Sequence, residues 1–152
     1  MANIIVGLAK YMMIILIAIY TYQCFAVFGY EEENAKKRVF RNQISVIFMI
    51  HFMAFAGMYF KTSENKIMIF YLVQAMMLAA IIWLYKKIYP KSSRLIINNM
   101  CMLMTIGFIM ITRLSYMKAV KQCIIVAGAI VASLFVPVLI RRMRKLHEMR
   151  IL

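Results

Sequence analysis

The sequence predicts an all-α, polytopic membrane protein of about five transmembrane helices, and three observations carry that prediction. Hydrophobic residues make up 65% of the 152-residue chain and charged residues only 16%. A soluble domain is about half apolar, and a chain of this length has too much surface to hide such an excess. The apolar residues also fall into five runs, at residues 11–28, 44–60, 67–85, 95–112 and 123–140. Each meets the ~17 residues that cross a hydrocarbon layer of ~30 Å. Finally, the cations cluster between the runs instead of following one helix face. That is the pattern of lipid headgroup contact. A net charge of +14 would by itself suit a nucleic-acid binder, but this placement argues against nucleic acid as a partner.

Taken in order, the first run leaves Lys10 at a rim, where its stem can snorkel, and sets Tyr11, Tyr20, Tyr22 and Tyr30 toward the interfaces. No basic leader or small-residue cleavage site precedes it, so it is expected to remain in the mature protein. Residues 30–43 pass from Glu31, Glu32 and Glu33 to Lys36, Lys37, Arg38 and Arg41. Such a stretch is either a short amphipathic surface helix or a solvated loop, and the loop is the expectation. The second run holds His51 and ends at a tight polar turn, residues 61–66; the third holds Gln74. Pro90, Ser92 and Ser93 then mark a loop and a helix start. The fourth and fifth runs follow, joined by a short basic turn, and Pro137 is expected to kink or end the fifth. The tail carries Arg141, Arg142, Arg144, Lys145 and Arg150.

Cations at alternate ends of the runs give the orientation. One side receives Lys36, Lys37, Arg38, Arg41, Lys86, Lys87, Lys91, Arg94 and the five of the tail. The other receives Lys10, Lys61, Lys66, Arg113, Lys118 and Lys121. The excess places the N-terminus outside and the C-terminus in the cytoplasm.

Catalytic chemistry is sparse. Glu31, Glu32, Glu33, Glu64 and Glu148 all lie in aqueous segments, so no span offers a carboxylate to work with His51. His51 and Gln74 therefore read as neutral groups hydrogen-bonded to neighbouring helices. Asn98 and Asn99, about one turn inside the rim, read the same way. Cys24, Cys101 and Cys123 have neither zinc nor disulfide spacing and read as small buried residues. The 16 methionines are scattered through the spans and read as adaptable packing residues. Gly128/Ala132 and Ala129/Ser133 have the small-xxx-small spacing that admits a neighbouring backbone, here read as packing within the protein. No cofactor, metal or catalytic residue is expected.

One stretch carries a resemblance. It runs through Met102-Leu103-Met104-Thr105-Ile106-Gly107-Phe108-Ile109-Met110-Ile111, leaves the apolar span by Thr112-Arg113-Leu114-Ser115, and returns through Lys118-Ala119-Val120-Lys121-Gln122. A further apolar span closed by Pro137 and basic residues follows. This order resembles the opening two membrane helices of the FtsW/RodA/SpoVE family, polytopic glycosyltransferases that polymerise the lipid-linked peptidoglycan precursor. The resemblance covers about fifty residues of the 152. It divides the chain into residues 1–94, a three-helix N-terminal extension, and residues 95–152, the first family hairpin with a basic cytoplasmic tail. It implies a multi-pass protein of the bacterial cytoplasmic membrane serving cell-wall synthesis in division, shape or sporulation. Membrane lipids, the lipid-linked precursor and a transpeptidase are the implied partners. The family's carboxylate-bearing later loop has no counterpart here, so the chain alone is not expected to be catalytic. Arg113, Lys118 and Lys121 are the candidate contacts for a pyrophosphate headgroup, being cations on the face where that substrate is presented. The alternative is a self-contained, non-catalytic membrane scaffold or assembly partner. A small transporter is disfavoured by spans without ionisable groups, broken helices or inverted symmetry.

Overall fold

The computed structural model describes the backbone of residues 2–90 and 92–150 and the side chains of residues 4–90, 92–133, 135 and 136. Five long helices follow one another: α1 (Ala2–Ala26), α2 (Glu33–Thr62), α3 (Asn65–Ile88), α4 (Arg94–Leu114) and α5 (Tyr116–Arg150). A 3-10 turn at Val27–Gly29 closes α1. All five are long and apolar enough to cross a membrane, α5 through its Tyr116–Ser133 portion. Links this short force successive helices to run antiparallel. Ser63 and Glu64 join α2 to α3, and Ser115 alone joins α4 to α5.

Three expectations change. Residues 33–43, expected as loop, are the opening turns of α2, which runs unbroken for 30 residues. Gly and Pro are absent from residues 30–56, and Ala35, Lys36, Lys37 and Arg38 are strong helix formers, so nothing stops the helix of the span from extending outward. At 1.5 Å per residue α2 outruns the ~30 Å hydrocarbon layer, leaving its first turns at headgroup level. The basic turn between the last two spans also shrinks, to Ser115, because residues 116–122 belong to α5. Of the two outcomes expected at Pro137, a kink or an end, the end is not seen: the helical backbone of α5 continues to Arg150. Inside lipid the carbonyl freed by a proline finds no better partner off the helix, and the surrounding Val, Leu, Ile and Arg residues propagate it. The side chains of the basic tail lie outside the described residues.

α2 and α4 form the interior. Of the most apolar window of each, 39% of residues are buried, against 11% in α1 and α5, which flank them. Leu16, Ile47, Ile50, Leu78, Ile81 and Cys101 centre one core cluster; Phe55, Phe70 and Ala119 centre a second, nearer the Ser115 end. Outward faces stay apolar: Ile4, Tyr22 and Phe25 on α1 and Ile124, Ile125 and Phe135 on α5 are exposed. Faces of this kind suit lipid tails.

The glycines sort differently from their spacing. No atom lies within 4 Å of a Cβ built on Gly128, and Ala129 and Ala132 are exposed, so the packing expected along that stripe is not made. Ser133 is the engaged member, taking a hydrogen bond at Oγ from Tyr85 (3.0 Å) and at its carbonyl from Tyr89 (3.1 Å). The close crossing lies elsewhere. A Cβ on Gly57 of α2 would sit 3.7 Å from that of Ala9 on α1.

Candidate functional site

The three cations singled out from the sequence do not form one cluster. Arg113 lies in the last turn of α4, and Lys118 and Lys121 project from the opening turns of α5; all three are exposed. Arg113 borders a cavity of about 730 Å³ that Lys118 and Lys121 do not line. Its companions there are Lys10 from α1 and Lys61 from the end of α2. The sequence marks Lys10 and Lys61 only as rim charges. Nothing in it says that α1 folds back along α2, and so brings Lys10 beside the ends of α2 and α4.

The walls of this cavity are apolar: Val6, Met13, Met53, Met58 and Ile109 contribute. Methionine suits such a wall because its unbranched side chain adapts to irregular shapes. Thr112 also lines it, and its buried hydroxyl has no hydrogen-bond partner. The result is an apolar chamber with a free hydroxyl and three cations around it. Its size lies within the ~300–1,000 Å³ typical of small-molecule sites. Chemically, it fits an amphipathic anion, with the charge at the rim and the chain below.

Further into the bundle, two polar residues depart from expectation. His51 is fully buried, yet neither ring nitrogen has a partner. Its ring packs against Phe55 at 4.7 Å and Tyr71 at 5.2 Å between centroids. Gln74 is likewise fully buried, with both amide atoms unpaired.

The other end of the bundle is laced by a side-chain network, beside which Gln23 Oε1 on α1 is buried without a partner. Tyr20 Oη and Cys24 Sγ both donate to Asn99 Oδ1, at 2.8 and 3.3 Å. Gln43 Nε2 donates to Cys24 Sγ at 3.6 Å. Asn98 Nδ2 donates to Gln43 Oε1 at 2.8 Å and to the Phe40 carbonyl at 3.2 Å. One network thus ties α1, α2 and α4 together, and Cys24 works in it as a polar group. Cys101 and Cys123 are buried, and all three cysteines are free thiols.

Among the described residues, no three His, Cys, Asp or Glu side chains gather as a metal site. The single ion pair among them, Lys66–Glu64 at 3.0 Å, is exposed. No family model, curated protein or solved structure matches this chain.

Proposed function

We propose that this chain is the N-terminal membrane portion of an FtsW/RodA/SpoVE-type protein, set in a bacterial cytoplasmic membrane and working in peptidoglycan synthesis. Residues 1–94 are then an added three-helix unit and residues 95–152 the first family hairpin. The N-terminus faces outward and the tail faces the cytoplasm, as the cation excess favours. Beyond the resemblance in the last two helices, one observation carries the reading: the apolar cavity with Lys10, Lys61 and Arg113 around it. It lies at the rim that this orientation turns outward. A lipid-linked disaccharide presents a pyrophosphate at headgroup level and an isoprenoid chain beneath it, which is the division of charge and apolar wall found there.

In this reading these helices bind and position, and the glycosyl transfer belongs to other parts of the family fold. No carboxylate lies within the apolar runs, so they do not supply the carboxylate that the family uses for the transfer. Lys118 and Lys121 add positive potential beside the site without touching it. A transpeptidase held alongside is the expected protein partner.

The test is depletion of the full gene product from its native cells while labelled wall precursor is followed. Lipid-linked precursor should accumulate and glycan incorporation should fall. Restoring the protein with Lys10→Glu, Lys61→Glu and Arg113→Glu together should recover less than a tenth of the incorporation that the unaltered protein recovers. Unchanged incorporation on depletion would remove the wall-synthesis reading and leave the scaffold alternative. Full recovery by the triple variant would remove the cavity from it.

A further inference from the structure

At the opposite end of the bundle, the connected end, a second cavity of about 340 Å³ opens between α2, α3 and α4. Four cations border it: Lys37 and Arg41 from the opening turns of α2, Lys86 from the last turn of α3, and Arg94 from the first turn of α4. No acidic side chain lines it, and none of the four has an ion-pair partner among the described residues. Like charges gathered around one enclosure raise each other's energy, and an anion inside it reverses that cost. The preceding Glu31, Glu32 and Glu33 stand outside the lining.

Two further features say what kind of anion fits. Asn98 lines the cavity and is 3% exposed, its amide held by Gln43 and the Phe40 carbonyl, so its position is fixed before any ligand arrives. Below the charges the wall turns apolar, through Ile44, Ile82 and Ile97. Aromatic residues mark this level as an interface: Tyr89 lines the cavity, and Lys87 Nζ sits 4.9 Å above the Trp83 ring. A phosphate with chains attached uses both the charges and the apolar wall, whereas a soluble phosphate uses the charges alone.

We propose that the cavity bounded by Lys37, Arg41, Lys86 and Arg94 holds the phosphate headgroup of an anionic glycerophospholipid. The site stands independently of the wall-synthesis reading, being at the other rim and built from other residues. The lipid bridges the ends of three helices, above the apolar core that already joins them, and so acts as a structural ligand of the bundle.

The experiment uses the whole chain, delipidated in neutral detergent and titrated with short-chain phosphatidylglycerol or phosphatidylcholine, with lipid retention read by native mass spectrometry. Phosphatidylglycerol should bind at least ten times more tightly than phosphatidylcholine. Arg41→Gln with Arg94→Gln, or Lys37→Gln with Lys86→Gln, should weaken phosphatidylglycerol by about 30-fold, from roughly fivefold per cation at a membrane surface. Lys118→Gln with Lys121→Gln, at the far rim and lining neither cavity, should leave it unchanged. All of these side chains are exposed, and the comparison of the two lipids on the unaltered protein stands whatever the variants do. Equal retention of both lipids overturns the proposal, as does equal weakening by the far-rim pair. Displacement of the lipid by millimolar inorganic phosphate overturns it too, by showing that the site takes the free anion.

Discussion

Asn98 and Gln74 are both buried amides in apolar helices, and their surroundings give them opposite worth. Asn98 donates twice, whereas Gln74 makes no hydrogen bond. Asn98→Leu should therefore lower stability by about 0.6–2 kcal/mol, because Gln43 Oε1 loses its donor inside the bundle. Gln74→Leu should leave the thermal midpoint in detergent unchanged or raise it, since it removes two polar atoms that gain nothing from burial. Equal losses from the two would show that Gln74 has a partner, such as a bound water. The sequence marks both residues as polar groups in a span, and it marks His51 as well. It does not say which would be satisfied. That depends on the rotation of each helix about its axis, and in lipid a helix with apolar residues all round encodes that rotation weakly. The neighbours of His51, Phe55 and Tyr71, could as well have packed outward.

At the scale of elements, the turn between α2 and α3 concentrates its constraint in one residue. Ser63 adopts φ 53°, the left-handed conformation, with its N–H donating to the Tyr59 carbonyl at 2.7 Å. A β-branched side chain is costly there, so Ser63→Val should destabilise by about 1–2 kcal/mol, while Ser63→Gly should be tolerated. Thermal unfolding of the two variants side by side checks this. The position of that turn is legible in the polar stretch at residues 61–66, and the loop before α4 is legible in Pro90. The start of α2 is not, because sequence reading ends a span where its apolar residues end. The backbone follows helix propensity instead, and Ala35 to Arg38 favour helix wherever the lipid stops. The basic turn after Arg113 narrows for the same reason: Met117, Lys118, Ala119 and Lys121 continue a helix readily.

Across the whole molecule, the two ends are held differently. The end with Asn98 and Asn99 is laced by side-chain hydrogen bonds, while the end with Thr112 has a larger cavity, and an unpaired hydroxyl beside it. Amide hydrogen exchange should therefore be faster in the second half of α2, residues 50–62, than in residues 40–48 of the same helix. Equal protection would mean that hydrogen bonding between helices adds nothing to local stability here. Orientation has its own test. With the native cysteines replaced, Ser115→Cys should react with a membrane-impermeant thiol reagent applied to intact cells, and Ser92→Cys only after the membrane is opened. The reverse pattern would turn the protein over and take the proposed outer cavity with it. The number of spans is legible from the apolar runs alone. Which helices are central is not, because α1, more apolar in sequence than α4, lies at the edge, whereas α4, with its two adjacent asparagines, lies inside.

The brevity of two connections bears on how this protein meets other molecules. Between its helices, the face that carries Arg113 shows no more non-helical chain than Ser63 with Glu64 and, separately, Ser115. A protease needs several residues of extended backbone to lie along its cleft, and an antibody raised to a loop needs a loop. Neither finds one between the helices on that side. Tyr30–Glu32, Tyr89–Pro90 and Ser92–Ser93, on the opposite side, are the accessible substrates. With the Arg113 face outward, as proposed, shaving intact cells would leave these five helices joined in a single piece, and an unchanged band on a gel would then report short turns, not a protein hidden from the surface.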